Sequence, residues 1–149
     1  MALSAKLQDD IKAALLGGDR FAGDTLRNLK AAILNEEVAQ GKRDIGLSDE
    51  EIEKVIAKEV KKRRESITVY EANGRPELAE TEKLEASILS RYLPEQLSEE
   101  ELRKIVATTI AGMGAVDTKV MGQVIGAVKQ QVGNKADGAL LARIVKESL

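Results

Sequence analysis

The stretch Tyr92-Leu93-Pro94-Glu95-Gln96-Leu97-Ser98-Glu99-Glu100-Glu101-Leu102 divides this chain of 149 residues. Proline cannot continue a helix and keeps the residue before it out of the helical region, so a helix must end before Pro94. Ser98 and Glu101 then have the spacing of a capping box, which starts the next helix. We therefore predict two domains, residues 1–93 and 94–149.

Both predicted domains are helical by composition and by pattern. The chain contains one Phe, two Tyr and no Trp, whereas β-sheets draw on aromatic and β-branched residues. Apolar residues recur at helical spacing in segments that end at glycine or proline. We predict an all-α protein in which an N-terminal bundle of about four helices is joined to a small C-terminal three-helix domain. The predicted helices cover roughly 3–16, 19–40, 48–72, 76–92, 98–111 and 117–132, and the last begins at about 137.

Some residues have specific predicted roles in these helices. On the second helix, Leu34 and Val38 are expected to widen the buried face that Leu26, Leu29 and Ile33 form. The sixth and seventh helices are expected to begin at N-caps, and the capping residues are Asp117 and Asp137.

The absence of histidine and cysteine restricts the chemistry that this chain can perform. It has no disulfide, no thiolate, and no imidazole to act as a general base or metal ligand. Serine–lysine chemistry stays formally open, but the serines stand in helix or cap contexts. A metal could in principle bind four glutamates, Glu36, Glu37, Glu59 and Glu85. The simpler interpretation is that these glutamates lie on solvated faces of their helices. We predict no catalytic residue, no metal and no cofactor.

The sequence shows no obvious targeting or membrane segment. No apolar run approaches the roughly 18 residues that a membrane helix requires. The N-terminus carries Asp9 and Asp10 and lacks the apolar stretch of a signal peptide. The absence of cysteine fits a reducing compartment. We predict a cytoplasmic location and no membrane partner.

A run of lysines on the third helix has two interpretations. Lys54, Lys58, Lys61 and Lys62 share one side of the helix and could follow the phosphates of RNA. Alternatively they form a soluble surface together with the neighbouring glutamates, which favour ion pairs at helical spacing. The surface interpretation is the simpler one.

The sixth helix carries Gly122 and Gly126 on one face. A glycine inside a helix costs about 0.5–1 kcal/mol relative to alanine, so we expect another backbone to approach this face. A neighbouring helix is the simpler candidate, and an RNA strand is the alternative.

The loop 133–138 combines Lys135 with a helix start, where N–H groups can bind a phosphate. The alternative there is a plain turn capped by Asp137.

Several motifs taken together resemble those of the YqeY proteins. They are Tyr92–Ser98, Met121–Ile125, Lys135–Gly138, Lys61–Ile67 and Ala72–Arg75. The resemblance covers nearly the whole chain, and the C-terminal third is similar to the GatB/YqeY domain, which also forms the tail of the B subunit of glutamine-dependent tRNA amidotransferase. It implies a two-part helical protein whose tail contacts tRNA, while catalysis lies elsewhere.

The resemblance also implies which residues meet RNA. The positions that match the motif of the tail are Lys119, Met121, Gly122, Gly126, Lys135, Asp137 and Gly138. The candidate RNA-binding residues are Lys119, Lys129, Lys135, Arg143, Lys146, Gly122, Gly126 and Gly138, with Lys54, Lys58, Lys61 and Lys62 as a secondary basic patch. The chain departs from the family at Gln130, where proline is common, and at Gly133-Asn134, where a basic residue and glycine are usual. We expect Asn134 to take the left-handed turn.

Three functions are compatible with these observations. The leading one is a non-catalytic tRNA- or RNA-associated accessory protein, whose partners are tRNA or a protein of the tRNA amidation or translation machinery. The second is a helical protein-interaction adaptor, with a partner helix on the Gly122 and Gly126 face. The third is carbon–nitrogen ligase activity with glutamine as amido donor, within a tRNA amidation system. The residues argue against the third, because they supply neither an amidase nucleophile nor an ATP site.

Overall fold

The computed structural model describes residues 2–114 and 117–149, and these ranges contain helices and turns but no β-strand. The prediction of an all-α protein is confirmed. The α-helices are α1 (Ala2–Leu16), α2 (Arg20–Ala39), α3 (Asp49–Ala72), α4 (Pro76–Ser90), α5 (Glu99–Met113), α6 (Met121–Val132) and α7 (Gly138–Ser148). Short 3₁₀ helices at Thr118–Val120 and Gly133–Lys135 flank α6. Over the same ranges, no helix combines the length and apolar character that a bilayer crossing requires.

Contacts divide the chain into two compact units, Met1–Leu93 and Pro94–Leu149. In the first unit, α1 packs along α2, α3 packs along α4, and α2 contacts both α3 and α4. Its core contains Leu7, Ile11, Leu26, Leu29, Ile33, Leu47, Ile52, Ile56, Val60 and Leu89. Burial of each such side chain contributes roughly 1.5–3 kcal/mol. This shared core holds the four helices of the unit together.

In the second unit, each of α5, α6 and α7 contacts the other two. Their common core contains Leu102, Val106, Val124, Val128, Val132, Leu141, Ile144 and Val145. The segment after Pro94 packs against the connection between α6 and α7. The N–H of Leu97 donates to the carbonyl of Lys135 at 2.8 Å, and Gln96 Nε2 donates to the carbonyl of Asn134 at 2.9 Å. These bonds fix the backbone of the connection.

Local capping explains where the helices begin. At α3, Ser48 and Glu51 form a capping box: the Ser48 hydroxyl accepts the N–H of Glu51 at 3.2 Å, and the Glu51 carboxylate accepts the N–H of Ser48 at 3.1 Å. Ser98 caps α5 by accepting the N–H of Glu101 at 3.1 Å. Pro76 stands in the first turn of α4, where its missing N–H costs nothing.

The helix before Pro94 ends earlier than predicted. α4 stops at Ser90, and the N–H groups of Tyr92 and Leu93 each bond to a carbonyl three residues earlier, at 3.2 Å. The Tyr92 hydroxyl donates a hydrogen bond to the Asp10 carboxylate at 2.5 Å. Burial and this bond raise the pKa of Tyr92, and the same bond lowers the pKa of Asp10. The end of α4 is thereby anchored to α1.

Two apolar residues of α2 are more exposed than the sequence predicted. Leu34 and Val38 are 38% and 61% exposed, so the prediction that they widen the buried face is wrong. α2 buries the stripe of Leu26, Leu29 and Ile33 against the rest of the unit. With about 100° between successive residues, Leu34 and Val38 lie beyond the edge of that stripe.

Candidate RNA-binding surface of the second unit

The exposed side of α6 carries two glycines and one lysine. Gly122, Gly126 and Lys129 are spaced by four and three residues, so they lie on one side of the helix, away from its buried valines. A Cβ added at Gly122 or Gly126 would meet no atom of the described residues within 4 Å. The expected neighbouring helix is therefore not found within residues 2–114 and 117–149. The glycines leave an open strip of helix backbone beside Lys129.

The turn before α6 presents Lys119. Asp117 does not cap α6 as predicted, because a 3₁₀ turn separates it from the helix; its carboxylate accepts the N–H of Lys119 at 2.9 Å instead. Val120 holds the N-cap position of α6 and makes no side-chain capping bond. The backbone of Lys119 is thus tied down while its side chain is exposed.

The connection between α6 and α7 presents Lys135. Asn134 does not take the left-handed turn: its φ is not positive, and the positive φ of this connection is at Gly133, with φ +53° and ψ −129°, outside the left-handed helical region. The reason is that glycine has no Cβ and takes a positive φ without steric cost. Lys135 follows with its carbonyl bonded to Leu97 and its side chain exposed. Its ammonium group therefore extends from a backbone that is held in place.

The start of α7 is occupied by its own cap. The Asp137 carboxylate accepts the N–H of Leu140 at 3.1 Å, which confirms the predicted cap. Gly138, the first residue of α7, is exposed, and a Cβ there would meet no described atom within 4 Å. The carboxylate occupies one of the N–H groups at the helix start and repels anions. The plain-turn interpretation of this loop is therefore favoured over phosphate binding at the helix start.

Arg143 is engaged in an ion-pair network that ties α7 to α5. Arg103 Nη2 lies 2.8 Å from Glu99 Oε1 and 2.7 Å from Glu147 Oε2. Arg143 Nη2 lies 3.1 Å from the same Glu99 oxygen. The hydrogen bond from Arg103 holds the pKa of Glu99 below its usual range. Sequence reasoning missed this network, although two of its pairs have the four-residue spacing of helical ion pairs.

The remaining candidate cations are free of carboxylates. Across the described ranges, no carboxylate oxygen lies within 4 Å of the ammonium groups of Lys119, Lys129, Lys135 and Lys146. All four side chains are exposed. Two of them, Lys119 and Lys129, belong to α6 or the turn that precedes it, and Lys135 follows its end. The fourth, Lys146, lies on α7. The name lysine surface is used for these four exposed lysines together with the strip of Gly122 and Gly126.

The secondary basic patch lies on the exposed side of α3 in the first unit. Lys62 lies 3.4 Å from Glu59. In the part of the chain that the structure describes, Lys54, Lys58 and Lys61 have no carboxylate within 4 Å. The spacing of these three residues places them in one row along the helix. Lys62 therefore fits the interpretation of a paired surface lysine. The secondary basic patch is reduced to the three other lysines.

A model of the Yqey-like protein family matches residues 4–149. The chain belongs to the YqeY family. The resemblance found in its motifs is thereby confirmed over nearly its whole length. Family membership alone names no site residue, so the lysine surface has to be judged by its geometry.

Curated relatives of this YqeY-family chain carry the name "Altered inheritance of mitochondria protein 41, mitochondrial". The protein of Eremothecium gossypii is 36% identical over 60% of this chain and 48% of its own length. That of Clavispora lusitaniae is 28% identical over 89% and 75%, and that of Lachancea thermotolerans is 33% identical over 60% and 46%. The chain thus spans about half the length of two of these three relatives.

The names of these relatives correct the predicted cytoplasmic location. All three are named as mitochondrial proteins, which conflicts with a purely cytoplasmic assignment. The prediction rested on the lack of cysteine and of an apolar N-terminal stretch. Both features are only permissive, because neither one distinguishes between reducing compartments.

Proposed function

We propose that this YqeY-family protein is a non-catalytic accessory protein that associates with tRNA through its second unit. The observation that carries the proposal is the lysine surface, in which four exposed cations have no carboxylate partner among the residues that the structure describes. Phosphate contacts from such cations supply most of the sequence-independent affinity for nucleic acids. In this proposal the first unit is an N-terminal bundle of four helices, and the second is a GatB/YqeY-type three-helix domain.

The strip of Gly122 and Gly126 supports this proposal by its shape. With no side chain at either position, a sugar–phosphate backbone can approach the helix more closely than beside any other residue. Lys129 lies beside the strip, and Lys119 precedes it in the chain. The chain's aromatic residues, Phe21, Tyr70 and Tyr92, all belong to the first unit, so no base-stacking platform accompanies the lysines. Recognition would therefore depend on RNA shape rather than on base sequence.

A non-catalytic role is supported by what the side chains offer. The sequence has no imidazole and no thiol. Over the described ranges, no three carboxylates lie close enough together to hold a metal ion.

The test is tRNA binding by the full chain, measured by fluorescence anisotropy between about 50 and 200 mM salt. Four phosphate contacts predict a slope of about −3 to −4 in a plot of log affinity against log salt. Lys129→Glu and Lys135→Glu should each weaken binding and reduce the slope by about 1. Lys12→Glu, an equal charge change at an exposed position of α1, is the matched control. Salt-independent binding, or an equal loss in the control, would overturn the proposal.

The bare face of α6 also supports the second candidate, an adaptor that receives a partner helix. Small residues four apart allow two helices to approach closely. Gly122→Leu would then abolish a protein partner that survives nuclease treatment, while tRNA binding persists. If the same substitution weakens tRNA binding and leaves protein partners unchanged, the adaptor hypothesis fails.

Amide synthesis is the remaining candidate. Purified protein mixed with mischarged tRNA, ATP and glutamine is expected to yield no amide product. Clear turnover would contradict the non-catalytic proposal.

A further inference from the structure

A groove between α1 and α2 lies on the first unit and is not part of the lysine surface. Its volume is about 400 Å³. Leu7 of α1 and Ile33 of α2 form its apolar floor, and Leu34 forms one wall. Leu34 is 38% exposed, so apolar surface remains in contact with solvent there. A groove with an apolar floor is suited to bind an apolar side chain rather than a phosphate.

The wall of the groove continues as a second apolar stripe on α2. Ala31, Leu34 and Val38 are exposed and are separated by three and four residues, so they follow one line along the helix. α2 already buries a different stripe in the core of its unit. A surface helix needs only one apolar stripe for its own fold. The second stripe is therefore left over after folding, within the part of the chain described here.

The rim of the groove is positively charged. Arg27, Lys30 and Arg43 line it, against the single carboxylate of Glu37. For the described residues, none of these three cations has a carboxylate oxygen within 4 Å. Residues 1–93 as a whole carry 16 basic and 18 acidic side chains. The groove is thus a local excess of positive charge on a slightly acidic unit, which favours an acidic ligand.

We propose that this groove binds an acidic amphipathic helix of a partner protein. Arg27 and Val38 are 11 residues apart on α2, which corresponds to about 16 Å along the helix axis. A partner helix of about three turns has the same length. Such a helix would place apolar residues on Leu7, Ile33 and Leu34 and carboxylates beside the cations of the rim. Helix-in-groove recognition of this kind uses anchors at positions i, i+3 or i+4, and i+7. RNA is disfavoured as the ligand, because the apolar floor offers nothing to a phosphate.

The experiment uses the full chain and a designed helical peptide of about 14 residues, with leucines at i, i+4 and i+7 and glutamates on both flanks. Binding is measured by fluorescence anisotropy and located by backbone amide NMR shifts. A second peptide carries lysine in place of each glutamate. Leu34→Asp is expected to weaken binding of the acidic peptide about tenfold or more, and Arg27→Glu several-fold. Leu84→Asp, at an exposed leucine of α4 outside the groove, is the matched control.

Amide shifts confined to α1, α2 and the segment around Arg43 that follows α2, with a preference for the acidic peptide, would support the proposal. Equal binding of both peptides would overturn it, because charge complementarity is its main argument. So would equal losses from Leu34→Asp and from the control. A dimer in sedimentation that Leu34→Asp disrupts would also overturn it, since the occupant would then be a second copy. None of these outcomes depends on tRNA binding, which is tested by variants of the second unit.

Discussion

Replacing Leu102 by alanine should strongly destabilise the second unit and leave the stability of the first unit unchanged. Leu102 lies on α5, is 0% exposed and belongs to the core that α5, α6 and α7 share. A buried Leu→Ala change costs about 2.7–5.0 kcal/mol, the lost transfer energy plus the cavity. Alanine is a better helix former than leucine, so α5 itself is not weakened and the loss comes from packing. Pro94–Leu149 is 56 residues long, which at about 0.05–0.15 kcal/mol per residue gives roughly 3–8 kcal/mol in total. The substitution therefore removes between about a third and all of that stability.

The assay is urea unfolding followed by circular dichroism, together with limited proteolysis and mass spectrometry to identify the protected fragment. In the Leu102→Ala variant, cleavage should spread over residues 94–149 while residues 1–93 remain protected. Leu16→Ala is the matched control, because Leu16 is 90% exposed and the same change should alter stability by less than about 0.5 kcal/mol. Simultaneous loss of both units in one transition would refute the reasoning and the proposal of two domains.

Three further predictions concern single residues. Gly126→Ala should raise the free energy of unfolding by about 0.5–1 kcal/mol in chemical denaturation, because the site is open and lies in the interior of α6; a loss of stability would mean that the face is covered. The hydrogen bond from Lys42, together with the hydrogen bonds between Glu51 and Ser48, lowers the pKa of Glu51 to about 2. A lowered pKa in the folded state gives stability that is present above the unfolded value of 4.5 and disappears as the pH falls towards 2. Glu51→Gln should therefore destabilise the protein at pH about 6 and lose this effect near pH about 2, and an effect independent of pH would contradict it. Arg143→Ala should change tRNA affinity less than Lys135→Ala does, because Arg143 already bonds to Glu99; an equal or larger loss would show that the arginine leaves its network for the RNA.

The sequence predicted the helices well because their ends are decided locally. Ser48, Asp137 and Pro76 act through bonds or clashes with residues three or four positions away, so their types and spacing suffice. The errors occur where a distant contact or an extra turn decides the outcome. α4 ends at Ser90 rather than beside Pro94. Asp117 caps a 3₁₀ turn, and the residue types of this segment do not predict that turn.

The charged surfaces were harder to predict, because a sequence shows which residues are charged but not which of them form ion pairs in the fold. From the sequence alone, Arg143 and Lys135 are two equally good candidates for binding a phosphate. In the structure, Arg143 is held by Glu99, whereas Lys135 extends from a backbone fixed by Leu97. The candidate set of five cations is thereby reduced to four, and the expected salt slope falls with it. Pairing depends on how α5 meets α7, which only the packed core specifies.

The same reasoning explains why exposed apolar residues lie on α2, where the sequence predicted a buried face. Helical periodicity identifies apolar residues but gives no limit to the width of the stripe that a small unit can cover. Once Leu26, Leu29 and Ile33 are buried, the first unit has no helix left to pack on Leu34 and Val38 within the described residues. Exposed apolar side chains are common singly, but an aligned stripe beside an apolar groove and three cations is not explained by folding. An acidic helix that fills the groove would bury Leu34 and neutralise the rim in one step, and this is why Leu34→Asp separates a binding role from a folding role. Because Leu34 contributes little to the core, the variant should stay folded and lose only its ligand.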